Sequence, residues 1–242
     1  GAPTATRVYR ERIGGARAVI CAEPGFPDGG VTTERRGSGH FHMRISGISA
    51  HAGRCYEDGA SAILELAHKI VALDAFVDAQ AQTVVNTGLI SGGNSANAVA
   101  PWADARIHIT FNTVDAAERL VENVRAVAAR PFVPRPTTRI GGGIRLHPLE
   151  YTADVETLFG MAERACAAMG GYTIRRNRAL GASEAGFTAS VLGIPSICSM
   201  GPEGAELHSP REYLSVDTVL PRCKMIALTA IQAARAFPAP RV

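Results

Sequence analysis

The sequence lacks any apolar run near the roughly 20 residues that span a bilayer, so no membrane-spanning helix is expected. It also lacks a Cys-x-x-Cys pair: the five cysteines, Cys21, Cys55, Cys166, Cys198 and Cys223, are odd in number and far apart. That usage argues against a disulfide framework and a thiolate zinc site, and it fits a reducing compartment; the expected location is the cytoplasm. Charge of one sign is scarce as well. A net charge of +3, with arginines scattered apart from Arg35-Arg36 and Arg175-Arg176, does not make a nucleic-acid groove. There is no internal repeat, low-complexity segment or signal-like leader; because Gly1 rather than Met opens the chain, the missing leader carries no weight.

What remains is the composition of a folded chain. At 242 residues, 46% of them hydrophobic and 19% charged, it is long enough for one large domain or two modest ones. The apolar run 17–22 reads as a buried strand ending at Glu23-Pro24-Gly25. From Gly37 the pattern changes: Phe41, Met43 and Ile45 alternate with His42, Arg44 and Ser46, a half-buried strand. A helix over about 57–75, strands over 83–90 and 104–112, a helix over 114–129 and a short strand over 137–140 follow. Strand, helix, strand, strand, helix, strand is the split βαβ sandwich, a two-layer module. Gly37 and Gly141-Gly142-Gly143 are flexible ends, so the module reads as an insertion in a larger domain. Beyond it come a helix over 153–169, a strand over 172–176, a helix over 184–192 with Ser183 as its N-cap, an apolar strand over 195–200 and a closing helix over 216–236. Alternating strands and helices predict an α/β layer with a largely parallel sheet. The expected division is 1–36 and 148–242 for the outer domain and 37–147 for the insertion.

Five places carry groups suited to chemistry. Glu23 stands at the C-terminal end of an apolar strand, the edge where α/β sheets bind ligands; its carboxylate is either a metal donor or a surface turn residue. His208, in the loop after strand 195–200, is either a ligand or a hydrogen-bonded turn residue. His51, in Ser49-Ala50-His51-Ala52-Gly53, has small neighbours that let a substrate approach, although a tight turn with an exposed His has the same pattern. Asn97 lies in an Asn/Gly-rich run that turn chemistry alone explains. Arg145 either clamps a substrate carboxylate or decorates a linker.

Together, Cys21-Ala22-Glu23-Pro24-Gly25, Gly47-Ile48-Ser49-Ala50-His51-Ala52-Gly53 and Leu207-His208-Ser209 resemble the di-zinc peptidases that include glutamate carboxypeptidase, acetylornithine deacetylase and aminoacylase. Gly59-Ala60-Ser61-Ala62-Ile63, and Gly92-Gly93 leading to Asn97-Ala98-Val99-Ala100-Pro101, extend the likeness, which runs along essentially the whole chain. The resemblance implies an α/β zinc-peptidase-like catalytic domain, incomplete here, with an inserted βαββαβ dimerisation (lid) domain. It implies that Glu23 and His208 each bind one of two zinc ions, with cobalt or manganese suited to the same donors. His51 then corresponds to the lid histidine that crosses a homodimer interface to polarise the substrate carbonyl, and Asn97 to a second contact from the partner. Arg145 corresponds to the binder of the substrate carboxylate, and Ser183-Glu184 to the segment lining the pocket floor. The implied reaction is metal-dependent hydrolysis of the amide of an N-acyl amino acid or small peptide.

The family's other ligands and its Glu-Glu pair lie upstream of anything in this sequence, and Gly1-Ala2-Pro3-Thr4 resembles the segment directly after that pair. Two ligands do not close a tetrahedral zinc. The chain alone is therefore expected to be inactive, and a non-catalytic dimerisation or binding module is the competing reading. Thr110 stands where the family commonly has Arg.

Overall fold

The computed structural model describes residues 5–13 and 15–238; Gly1-Ala2-Pro3-Thr4 lies outside them. The chain forms two compact units, one of residues up to Arg36 and from Leu146 onward, the other Gly37–Arg145.

The inserted unit contains β3 (Gly37–Ser46), α2 (Ala62–Asp74), β4 (Val84–Gly92), β5 (Trp102–Phe111), α3 (Val114–Ala129) and β6 (Thr137–Leu146), the last running just past the unit's end. These strands form one sheet in the order β4-β5-β3-β6, with β5 antiparallel to both β3 and β4. Strict alternation makes the layers: Phe41, Met43, Ile45, Ala103, Ala105, Ile107, Ile109 and Phe111 are buried, against Leu66 and Leu73 of α2 and Leu120 and Val124 of α3. Their outward neighbours, His40, His42, Arg44, Asp104, Arg106 and His108, line the open face. Thr113 caps α3, its hydroxyl accepting from Ala116 N at 3.1 Å. Two elements depart from the sequence reading. α2 starts at Ala62, capped by Ser61, after a separate 3-10 turn at Tyr56–Asp58. The glycines 141–143, read as a flexible end of the module, are inside β6: a side chain at Gly142 would meet His40 O at 2.1 Å, so glycine at that position permits strand pairing.

A buried ion pair ties the two helices together. Lys69 Nζ lies 2.9 Å from Glu65 Oε1 and donates to Val127 O, Ala128 O and Arg130 O at 2.9, 2.9 and 2.6 Å. Glu65 Oε2 accepts from Phe132 N and Val133 N at 2.9 and 2.6 Å. The cation thus closes the C-terminus of α3, where carbonyls have no helical partner and the dipole is negative.

The outer unit contains α1 (Ala5–Ile13), β1 (Val19–Ile20), β2 (Gly30–Arg35), α4 (Ala153–Ala168), β7 (Arg175–Ala179), α5 (Glu184–Ser190), β8 (Ser196–Ile197), the hairpin β9 (Gly204–Ala205) and β10 (Tyr213–Leu214), and α6 (Val219–Ala236). β1 pairs with β8, and β2 with β7, both in parallel, as the helix and strand alternation predicts. The core is Val31, Leu158, Phe159, Met161, Ile197, Met200 and Met225. β2, α1 and the hairpin were not legible in the pattern, and the strands expected over 17–22 and 195–200 keep regular pairing for two residues each. Among the described residues no helix is long and apolar enough to cross a membrane.

Candidate functional site

In the outer unit, Glu23 sits where β1 runs out. Its carbonyl accepts from Gly201 N at 3.0 Å, Gly25 N donates to Pro202 O at 2.8 Å, and Gly204 N donates to Gly25 O at 3.0 Å. Residue 25 must be glycine, because a Cβ there would lie 2.8 Å from Gly201 O and 2.9 Å from Arg222 Nη2. Arg222, wholly buried on α6, is the support beneath. It pairs with Glu203 at 3.2 Å, donates to Tyr172 Oη at 3.2 Å and reaches Ser199 O at 3.5 Å, while Tyr172 donates to Glu203. Four residues beyond Gly204, in the connection between β9 and β10, lies His208, exposed and with φ of 64°. Its N–H donates to Glu212 Oε2 at 2.9 Å, which fixes the backbone of the turn. Glu23 is half-exposed, so both candidate donors are open to solvent and issue from segments joined by backbone hydrogen bonds.

Carboxylate and imidazole are sound metal donors, but two do not make a site. Among the described residues no group of three or more His, Cys, Asp or Glu is placed to hold a metal ion. The residues of this chain therefore do not by themselves fit a closed metal centre.

Ser183 is buried. Its hydroxyl caps α5 by accepting from Ala185 N at 3.3 Å and lies 3.3 Å from Cys198 Sγ. Cys21 lies opposite Cys198 in the continued strand register, and each thiol acts on the other: the Cys198 pKa is pushed down and the Cys21 pKa up. Burial opposes the depression at Cys198, whereas Arg35, the Ser183 hydroxyl and the Ser199 backbone reinforce it. Nothing in the sequence pattern links these two cysteines.

In the inserted unit, the structure brings His51 and Asn97 side by side. His51 pairs with Ala98 in an isolated bridge, and Ala52 N donates to Asn97 O at 2.9 Å. Gly53 N–H donates to His51 Nδ1 at 3.2 Å. With Nδ1 accepting, the proton of the neutral ring is on Nε2, so an exposed side chain presents one oriented donor. Asn97 is exposed, and its Oδ1 accepts from Ser95 Oγ at 2.5 Å, which turns the amide in a defined direction.

Arg145 is exposed near the end of β6, away from that pair. It lines a groove of about 630 Å³ on the open face of the sheet with His40, His42, Arg106 and His108. His40 Nε2 and His108 Nδ1 are 3.3 Å apart, and His42 Nε2 lies 2.5 Å from Asp104 Oδ2. Partial burial, then His108 and Arg145, hold the His40 pKa below the usual imidazole value. The alternation around Phe41 and Ile107 was the signal for this cationic groove. Thr110, in the position noted for the family's Arg, has a buried hydroxyl without a hydrogen-bond partner.

The chain thus holds a two-layer βαββαβ unit inserted in sequence between α/β segments. Residues 33–136 match the model of the peptidase dimerisation domain family, M20_dimer. That match falls on the inserted unit, and the fold of the chain is similar to that of solved peptidases. It is similar to an aminopeptidase, PepT, of Bacillus cereus (TM-score 0.73, 20% identity, covering 90% of this chain and 58% of that one). It is also similar to a tripeptidase of Staphylococcus aureus (0.71, 18%, 91% and 58%). A third is the YXEP protein of Bacillus subtilis, described as a dinuclear metal-binding peptidase (0.65, 16%, 90% and 57%). The chain thus spans under three-fifths of the length of each of these structures. No curated protein matches it in sequence.

Proposed function

We propose that this chain is the lid-bearing part of a metal-dependent amidohydrolase that cleaves small peptides or N-acyl amino acids. The observation that carries the proposal is the His51 and Asn97 pair, with His51 exposed and its Nδ1 accepting from Gly53 N–H, which leaves the proton of the neutral ring on Nε2. A donor held in place before reaction is what a carbonyl needs as its oxygen gains charge, because no reorganisation is then required. In this reading His51 donates to the scissile carbonyl bound on a partner subunit, Asn97 orients the same group, and Arg145 holds the substrate carboxylate. Ser183 shapes the pocket floor through Cys198. Glu23 and His208 contribute one ligand to each of two metal ions, zinc by preference, whose other ligands lie outside this chain. A bound metal would supply Lewis-acid activation of water.

Action across subunits requires a homodimer, and the inserted unit offers a surface for one. β4 is an edge strand with Leu89 and Ile90 exposed at 68% and 65%, and α2, packed beside it, exposes Ile63, Leu64 and Val71. An unpaired edge flanked by apolar side chains is suited to pairing with a second copy. Replacing Leu89 and Ile90 together by Arg is expected to turn a dimer into a monomer at micromolar concentration. Light scattering coupled to size-exclusion chromatography measures the change; an unaltered mass would place the interface elsewhere.

The activity itself is tested by comparing this chain with the protein extended upstream of Gly1. Both are loaded with zinc, cobalt or manganese and assayed on N-acyl amino acids and tripeptides. Hydrolysis by the extended protein alone is the expected result. Inactivity of the extended, metal-loaded protein on every such amide would leave the chain as a binding module.

A further inference from the structure

Cys21 and Cys198 face each other across the parallel strand pair. Cys21 N donates to Ile197 O at 2.9 Å, which continues the register Val19 to Ser196 and Ile20 to Ile197 and sets Cys21 opposite Cys198. Residues opposed in neighbouring strands lie roughly 5 Å apart at Cα, inside the range of about 4.4–6.8 Å that a disulfide spans. Their side chains project to the same face and pack in the same small cluster beside Leu149, Val155 and Ala185. Cys198 is fully buried, whereas Cys21 is half-exposed and open to small solutes. Immediately after Cys198 the pairing becomes irregular: Met200 rather than Ser199 donates to Cys21 O, and Ser199 has φ of 55°. An irregular strand end accommodates a small change in spacing more readily than a regular ladder does.

We propose that Cys21 and Cys198 form a peroxide-driven modification site, closing reversibly to a disulfide. Hydrogen peroxide oxidises one thiol of the pair to a sulfenic acid and releases one water. The sulfur of the other then attacks it, the S–O bond breaks, and the displaced hydroxyl leaves with the attacking thiol's proton as a second water. Two thiols and one peroxide thus give one disulfide and two waters; a dithiol reductant reverses the exchange. The remaining cysteines lack this arrangement. Cys55 is partly exposed, Cys223 is exposed, and Cys166 is buried in the main core of the outer unit. The bond forms whether or not Glu23 binds a metal.

The test uses the whole chain with Cys223→Ser, which removes the most exposed thiol and its intermolecular cross-links. After peroxide treatment and alkylation, a non-reducing peptide map is expected to show the Cys21 and Cys198 peptides joined, Cys55 and Cys166 free, and the link lost on adding dithiothreitol. With Cys198→Ser or Cys21→Ser added, dimedone is expected to label the remaining member of the pair, in at least one of the two variants, at least tenfold more than in the parent. A map in which Cys21 and Cys198 remain alkylatable, or in which either passes to the sulfinic acid with the other still free, overturns the proposal. The map on the parent protein decides by itself if the serine variants do not fold.

Discussion

His51→Ala, made in the complete metal-loaded protein, is expected to lower kcat by about 10²–10³-fold while leaving metal content unchanged. That range is the usual loss for removing one oriented donor to a developing oxyanion. The separation of the two readouts follows from position: His51 belongs to the inserted unit, whereas Glu23 and His208 belong to the other. His51→Gln tests the chemistry further, because it keeps a polar donor without the Nδ1 acceptor that Gly53 N–H orients. Steady-state kinetics beside elemental analysis decides the matter. A kcat within threefold of wild type would remove the histidine from the reaction, and a parallel fall in bound metal would reassign the effect to structure.

Lys69→Met is expected to cost the inserted unit about 3–5 kcal/mol, the range for breaking a buried ion pair from one side. The loss is large because Glu65 is left charged and buried at 1% exposure while Val127, Ala128 and Arg130 lose their common donor. With a urea slope of about 1–3 kcal/mol/M, the midpoint falls by at least about 1 M. Glu65→Leu combined with Lys69→Met removes both charges but still strands five backbone groups, so only part of the stability returns. Chemical denaturation of the three proteins gives the comparison. A single-variant loss below 1 kcal/mol would show that water or a rearranged loop takes over the carbonyls.

The inserted domain was legible because its local signals agree with one another. β3 and β5 alternate without a break, and α3 has a Thr cap followed by a regular apolar stripe. β2 was not, because it is buried yet carries Thr32, Thr33 and Glu34. The hydroxyls find partners in the fold, Thr32 with Ser199 and Thr33 with Asn177 O, and no local pattern announces that. The glycines of β6 misled for a related reason: a run that permits a bend also permits the closest approach of another strand. At the site, single residues were nameable from their motifs, but their relations were not. The contact of His51 with the Asn97 segment, the facing thiols and the paired imidazoles of His40 and His108 all depend on register between distant strands.

Arg222 binds the fate of three stretches of chain to one another. Its guanidinium fills the space beside Gly25, touches the carbonyl of Ser199 and neutralises Glu203, while its backbone belongs to α6. Fraying of that terminal helix would withdraw the shared wedge and slacken the Glu23 turn and the approach to His208 in a single event. The two segments are thus held or released together through a single side chain of α6.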